Sequence, residues 1–181
     1  MEKQKVLFYD KKGNINLADI SKIDSDMKII AYNDASDKIG SLECYLTDGR
    51  IFISNIECLK KERGKGIGTA LLDILDYALK DKEGIVYGIY SPHNEIDEEK
   101  TRLFYQSNGY AVVSKEEFES NRLNYTGLEE DDFNEANKKY GYSIVYKNNV
   151  KKDKYRFIEI EDFLIEQDGW GKNEKSLLHR W

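Results

Sequence analysis

Proline and cysteine are scarce: one proline and two cysteines in 181 residues. A single proline excludes a Pro-rich linker or tail. Cys44 and Cys58 form neither a CxxC pair nor a cluster with metal-ligand spacing, so no metal is expected. No apolar run approaches the roughly 18 residues a membrane helix needs. The opening Met1-Glu2-Lys3-Gln4-Lys5 leads only into Val6–Tyr9, too short for a signal peptide. A cytoplasmic, reduced protein with no membrane partner is the corresponding expectation. Positive charge is also in deficit, with 28 Lys and Arg against 34 Asp and Glu and a net charge of −6. A phosphate backbone binds a positive surface by releasing counterions, so nucleic acid is not an expected partner. A cationic partner such as an amine suits the balance better, although the same charge serves solubility alone.

What is present reads as one globular domain: 40% of residues are apolar and 34% charged, without repeats or low-complexity tracts. Short apolar runs at Val6–Asp10 and Met27–Asn33 predict strands. Lys38–Leu46 alternates, Thr47-Asp48-Gly49-Arg50 signals a hairpin, and Arg50–Cys58 returns as a buried central strand. Ile67–Leu79 carries Ile67, Ala70, Leu71, Ile74, Leu75 and Ala78 at helical spacing. Gly84–Tyr90 predicts a strand, Asn94 caps a helix reaching Asn108, and Gly109 stops it. Strands follow at Tyr110–Val113 and Tyr142–Tyr146. Between them, Ser114-x-x-Glu117 and Thr126-x-x-Glu129 read as capping boxes of two short helices, the second running to about Lys139. The order predicts an α+β fold with a mixed sheet.

The most informative stretch is the charged, glycine-rich loop ahead of the first helix, Arg63-Gly64-Lys65-Gly66-Ile67-Gly68. A loop there exposes backbone N–H groups at the positive end of the helix dipole, a site for phosphate or pyrophosphate. Arg63 and Lys65 add positive charge. The spacing fits neither a Walker loop nor a dinucleotide fingerprint. A second stretch, Leu103-Phe104-Tyr105-Gln106-Ser107-Asn108-Gly109-Tyr110, is a helix end with a glycine stop and a strand start. Core packing explains Leu103, Phe104 and Tyr110, but a buried Tyr105 needs a partner for its hydroxyl.

Together these stretches resemble the GNAT superfamily of N-acetyltransferases. Arg63, Gly66 and Gly68 match its Arg/Gln-x-x-Gly-x-Gly/Ala signature, and L-F-Y-Q-S-N-G-Y matches its later Leu/Phe-Tyr-x-x-x-Gly-Tyr/Phe motif, over roughly Met27–Tyr146. The resemblance implies a mixed, mostly antiparallel sheet flanked by helices, with a helical insert between the last two core strands. It also implies two helices between the first strands, and Gly13–Asp26 has room for about one short helix. It places that domain at 1–148, the insert at 114–141, and a C-terminal extension at 149–181. The extension is apolar enough to cover the sheet edge or to form a subunit contact, such as a homodimer.

The resemblance implies acetyl-CoA as co-substrate, its pyrophosphate on Gly64, Lys65, Gly66, Ile67, Gly68 and Thr69 beside Arg63. The pantetheine arm would pair with the backbone of Ile56, Glu57 and Cys58. Cys58 stands where the family often has Val and is read as structural. Tyr105 occupies the place of the family's usual general acid, for the leaving thiolate. Backbone N–H near Cys58 would polarise the carbonyl. The base is open among Glu57, His93 and a water chain, because the residue where many relatives carry Glu is apolar, near Ile89. Relatives often hold CoA with an Asn seven residues before the Tyr. That position is Glu98 here, so Asn94, four residues earlier, is the candidate. The acceptor is a small-molecule amine or a protein amine, and an acyl-CoA-binding module without turnover is the remaining reading. The run Glu129-Glu130-Asp131-Asp132 either attracts a cationic substrate or is a solvated helix face.

Overall fold

The computed structural model describes residues 2–47, 49–91, 95–139, 143–148 and 157–160. Nine strands and four α-helices follow one another along the chain: β1 Glu2–Tyr9, β2 Ile15–Ile23, β3 Asp26–Tyr32, β4 Lys38–Thr47, β5 Arg50–Cys58, α1 Ile67–Ala78, β6 Ile85–Ile89, α2 Glu95–Ser107, β7 Ala111–Ser114, α3 Lys115–Ser120, α4 Glu130–Lys139, β8 Ser143–Asn148 and β9 Phe157–Ile160. Hydrogen bonds join the strands in the order β7-β8-β6-β5-β4-β3-β2-β1-β9. β5 and β6 pair in parallel, whereas β1–β2, β1–β9, β2–β3, β6–β8 and β7–β8 are antiparallel. This is the expected mixed, mostly antiparallel sheet with helices, and α3 and α4 form the expected insert between β7 and β8.

The described residues divide into two compact units. Those within Met1–Glu43, Asn55–Ala78 and Asp153–Trp181 form the first, and those within Cys44–Ser54 and Leu79–Lys152 the second. In the first, β1, β2 and β3 make a meander, and β9 pairs on the free side of β1 through Lys5↔Ile160 to Phe8↔Phe157. The rest of 149–181 lies outside the described residues. β2 corrects the expectation of a short helix in Gly13–Asp26. Leu17, Ile20 and Ile23 recur every third residue, which imitates a helix face. Yet Asn16, Leu17, Ala18 and Ile20 are all buried, and Ile23 is exposed. Turns at both ends, the second with Asp24 at φ 51°, return the chain to two neighbouring strands, and pairing on both edges overrides the helical spacing. α1 buries Ile67, Leu71, Leu72, Ile74 and Leu75. It lies close on β4 at Gly40, where a Cβ would stand 3.1 Å from Ile67 Cγ2 and 2.9 Å from the Glu57 carbonyl oxygen.

In the second unit the insert has its own apolar core. Phe118, Leu128 and Phe133 pack with Ile85, Val113, Ile144 and Tyr146, and the Phe118 and Phe133 rings stack with centroids 4.9 Å apart. Ser114 caps α3 as expected, its hydroxyl accepting the Glu117 N–H at 3.1 Å. Thr126 does not cap α4. It closes a 3-10 turn at Arg122–Tyr125, its carbonyl accepts the Tyr146 hydroxyl at 3.0 Å, and α4 starts at Glu130. The capping interaction is supplied instead by Asp132, whose carboxylate accepts the Glu129 N–H at 2.8 Å.

Candidate functional site

In the first unit the glycine-rich loop is a short, tightly turned connection. β5 ends at Cys58, Leu59 N–H donates to the Ile39 carbonyl at 3.0 Å, and a 3-10 turn spans Lys60–Glu62. Gly64 and Gly66 take φ of +77° and +89°, a conformation costly for residues with a Cβ. Ala70 N–H donates to the Gly66 carbonyl at 3.0 Å at the start of α1. The N–H groups of Ile67 and Gly68, ahead of it, therefore have no acceptor within the helix. They open at the positive end of a 12-residue helix, with Gly64 in open space. Such donors suit an anion, and a Cβ at Gly66 would stand 3.2 Å from Lys11 Cγ.

The loop's cations are unequally available. Lys65 Nζ is 2.7 Å from Glu62, and that hydrogen bond raises its pKa. Arg63 is exposed and only its Nε reaches inward, donating to the Cys58 carbonyl at 3.4 Å. A further cation that the sequence reading did not single out comes from the turn between β1 and β2. Lys11 N–H donates to the Lys65 carbonyl at 2.9 Å, and the Lys11 stem crosses Gly66. Only a tertiary contact marks it, so no sequence motif could have found it.

β5 pairs with β6 from Arg50↔Ile85 to Ile53↔Gly88 and then runs on to Cys58, whereas β6 ends at Ile89. Ile56, Glu57 and Cys58 lie in this run beyond the pairing. Cys58 is half-buried, and burial, then Glu62, pushes its thiol up, the opposite of what a nucleophilic cysteine requires. The Glu57 carboxylate receives Lys38 Nζ at 2.5 Å and the buried Ser41 hydroxyl at 2.9 Å. The Lys38 bond first, then Ser41, holds its carboxyl below the usual range. It is ionised at neutral pH, and to accept a proton it must give up part of this partnership.

Tyr105 lies in the second unit, on the last turn of α2. Its ring sits among Tyr90, Phe104 and Tyr110, at centroid distances of 6.4, 5.1 and 5.8 Å. It is 8% exposed. Burial, with a smaller effect of Tyr90, pushes its phenol up to about 12. Tyr90 spends its own hydroxyl on the Glu98 carbonyl at 2.7 Å. Among the described residues no hydrogen-bond partner of the Tyr105 hydroxyl is found, so its proton is free to be offered elsewhere. Asn94 and His93 lie outside the described residues.

The acidic run of the insert is met by cations of its own unit. Arg50 reaches Asp132 at 2.5 Å and Glu129 at 3.8 Å, and Arg122 and Lys115 reach Glu130 at 3.3 and 3.9 Å. Three of its four acids are thus paired internally, which favours the solvated, structural reading over attraction of a substrate. Among the described residues no group of acids, histidines and cysteines could hold a metal ion, and no helix is long and apolar enough to cross a membrane.

Residues 25–112 match the family model described as an acetyltransferase (GNAT) domain. Among solved structures, a GNAT-family acetyltransferase of Staphylococcus aureus Mu50 is 17% identical, with 70% of this chain and 69% of that chain covered and a TM-score of 0.50. Arabidopsis thaliana Naa50, solved with the bisubstrate analogue CoA-Ac-MVNAL, is 20% identical over 67% of this chain and 72% of that one, with a TM-score of 0.47. The spermidine N-acetyltransferase SpeG of Vibrio cholerae is 16% identical over 70% and 66%, with a TM-score of 0.46. No curated protein matches the sequence. At 17% identity the likeness to the Staphylococcus aureus structure is one of fold.

Proposed function

Residues 25–112 are a GNAT acetyltransferase domain, and from that premise we propose that the protein is a cytoplasmic, acetyl-CoA-dependent N-acetyltransferase acting on a primary amine of a small molecule by direct attack in a ternary complex. The observation that carries this is the loop after β5, whose positive-φ glycines and helix N–H groups without an intrahelical acceptor suit a diphosphate. In this reading Arg63, Gly64, Lys65, Gly66, Ile67, Gly68 and Thr69 hold the diphosphate. The backbone of Ile56, Glu57 and Cys58 pairs with the pantetheine arm as an added strand. Asn94 adds a contact to CoA. The net charge of −6 favours a cationic acceptor.

The chemistry follows from proton balance. A neutral amine attacks the thioester carbonyl, a C–N bond forms, the C–S bond breaks, and one amine proton ends on sulfur. Tyr105, with a pKa of about 12, stays protonated through the physiological range and can donate to the departing sulfur. A thiol of ordinary pKa, about 8.5, cannot by itself keep a proton from such a phenol. The phenol must therefore be reprotonated as the new amide nitrogen sheds its proton, so Tyr105 relays that proton. Glu57, ionised and next to the pantetheine strand, is the proton acceptor that brings the amine to its neutral form.

The test is a melting experiment with and without acetyl-CoA. Ligand at 100 times its dissociation constant adds about 2.7 kcal/mol, a rise of roughly 5–10 °C for a chain of this size. Thiol release on adding amines then identifies turnover. An unchanged melting temperature at millimolar acetyl-CoA refutes the proposal.

A further inference from the structure

The turn between β1 and β2 is built to hold its shape. The Asp10 carboxylate accepts the N–H groups of Lys12 and Asn14 at 2.8 and 2.9 Å and the Asn14 side-chain amide at 2.9 Å. The Asp10 N–H and the Asn14 carbonyl close the turn at 3.0 Å. This fixed turn is fastened to the signature loop by the bond from Lys11 N–H to the Lys65 carbonyl, 2.9 Å. Beyond that bond, Lys11 lays its methylenes over Gly66. A Cβ built on Gly66 would stand 3.2, 3.7 and 3.6 Å from Lys11 Cγ, Cδ and Cε. The ammonium is one bond past Cε, so it sits beside the glycine that opens α1.

Its charge is available there. Lys65, the lysine of the loop itself, is held by Glu62 at 2.7 Å and faces the Asp10 charge. Among the described residues Lys11 has no acidic partner, and it is exposed. A cation whose stem lies over the loop, beside helix N–H groups that have no acceptor within the helix, has the geometry of an anion ligand.

We propose that Lys11, carried to the loop by the β1–β2 turn, is a phosphate ligand of the acyl-CoA site, supplying the cation that Glu62 withholds from Lys65. This rests on the reading of the loop as the CoA diphosphate cradle. The lysine acts on the ADP half of the ligand and leaves the acyl half untouched.

The experiment is calorimetric titration of the full-length protein and its variants with acetyl-CoA and with acetylpantetheine, which carries no phosphate. Lys11→Gln is expected to weaken acetyl-CoA by about 10-fold or more, the loss of one charge-assisted hydrogen bond. Acetylpantetheine affinity and the unliganded melting temperature stay as in the wild type. Lys11→Arg retains most of the affinity, and Lys12→Gln, one residue along the same turn, changes it by no more than about 2-fold, as expected of a solvated charge. Equal affinity of wild type and Lys11→Gln for acetyl-CoA overturns the proposal and leaves the cradle standing. Equal losses in Lys11→Gln and Lys12→Gln, or a matching loss of acetylpantetheine, also overturn it, because they indicate general charge or a distorted turn. A wild type that does not bind acetyl-CoA overturns the cradle and the lysine together.

Discussion

Replacing Tyr105 with Phe removes one oxygen from a ring packed among three aromatic neighbours. Among the described residues no hydrogen bond is lost, so the fold at neutral pH should hold to within about 0.5 kcal/mol, the usual range for a change that disturbs no packing. The consequences lie at high pH and in turnover. The phenol ionises near 12 in the folded chain and near 10 when exposed. Below pH 10 both states hold the proton and the residue adds no pH dependence. Between 10 and 12 the unfolded chain has released the proton while the folded chain keeps it, so stability falls as pH rises. Two pKa units at about 1.36 kcal/mol each set a limit of about 2.7 kcal/mol, of which about 2.3 is lost by pH 12. Urea unfolding of wild type and Tyr105→Phe at pH 8, 10 and 11.5 measures it. The two curves should coincide at pH 8, and the variant should be more stable by about 2 kcal/mol at pH 11.5. Turnover of acetyl-CoA by the variant should drop on the order of 100-fold with ligand binding retained. Parallel curves at all three pH values would show the phenol is not buried as described, and unchanged turnover would remove it from the proton path.

Other outcomes follow from single contacts. Gly66→Ala imposes a Cβ on a residue at φ +89°, with the movable Lys11 stem 3.2 Å away. The strain of about 1–2 kcal/mol should fall on the loop, lowering acetyl-CoA affinity in a binding titration more than it lowers the melting temperature. Asp132→Ala leaves Arg50 partly buried without its 2.5 Å partner, which should cost about 2 kcal/mol by denaturant unfolding, between the values for exposed and buried pairs. Glu129→Ala, at 3.8 Å and 69% exposed, should cost almost nothing, and equal losses would contradict this ranking. Lys38→Met frees the Glu57 carboxyl, whose pKa should rise toward the ordinary 4.5. If Glu57 accepts the amine proton, the acidic limb of kcat/KM moves to higher pH in the variant, and an unmoved limb excludes Glu57 as that acceptor.

The parts of the fold that were legible in the sequence are those decided locally. Arg50–Cys58 and the start of α1 at Ile67 follow from alternation, a turn dipeptide and helical spacing, and the structure reproduces them. Gly13–Asp26 was not legible: the family resemblance implied a helix there, and an apolar residue every third position does not distinguish a helix from a strand paired on both edges. Thr126 misled for a related reason. Its capping pattern is real as a spacing, but the Tyr146 hydroxyl takes its carbonyl and α4 begins later. The candidate site divides the same way. The glycine spacing and Tyr105 stand in the sequence as motifs. The ion pair of Glu57 joins residues 19 positions apart, that of Arg50 with Asp132 residues 82 apart, and the Lys11 contact crosses from one turn to another. No local pattern encodes such pairings, since the chain between them is free to vary.

The pairing of β1 with β9 has a consequence in time. Lys5 lies opposite Ile160, 155 residues further along the chain. At about 5–20 residues per second, a ribosome needs roughly 8–30 s to produce the second strand after the first. During that interval β1 can gain β2 on one side, but the N–H and C=O groups of its other side face whatever is nearby. An exposed strand edge of that kind is a template for pairing with other chains. The late strand β9 therefore replaces the eight-residue open edge of β1 by a four-residue one, and a chain released before residue 157 would keep the longer edge.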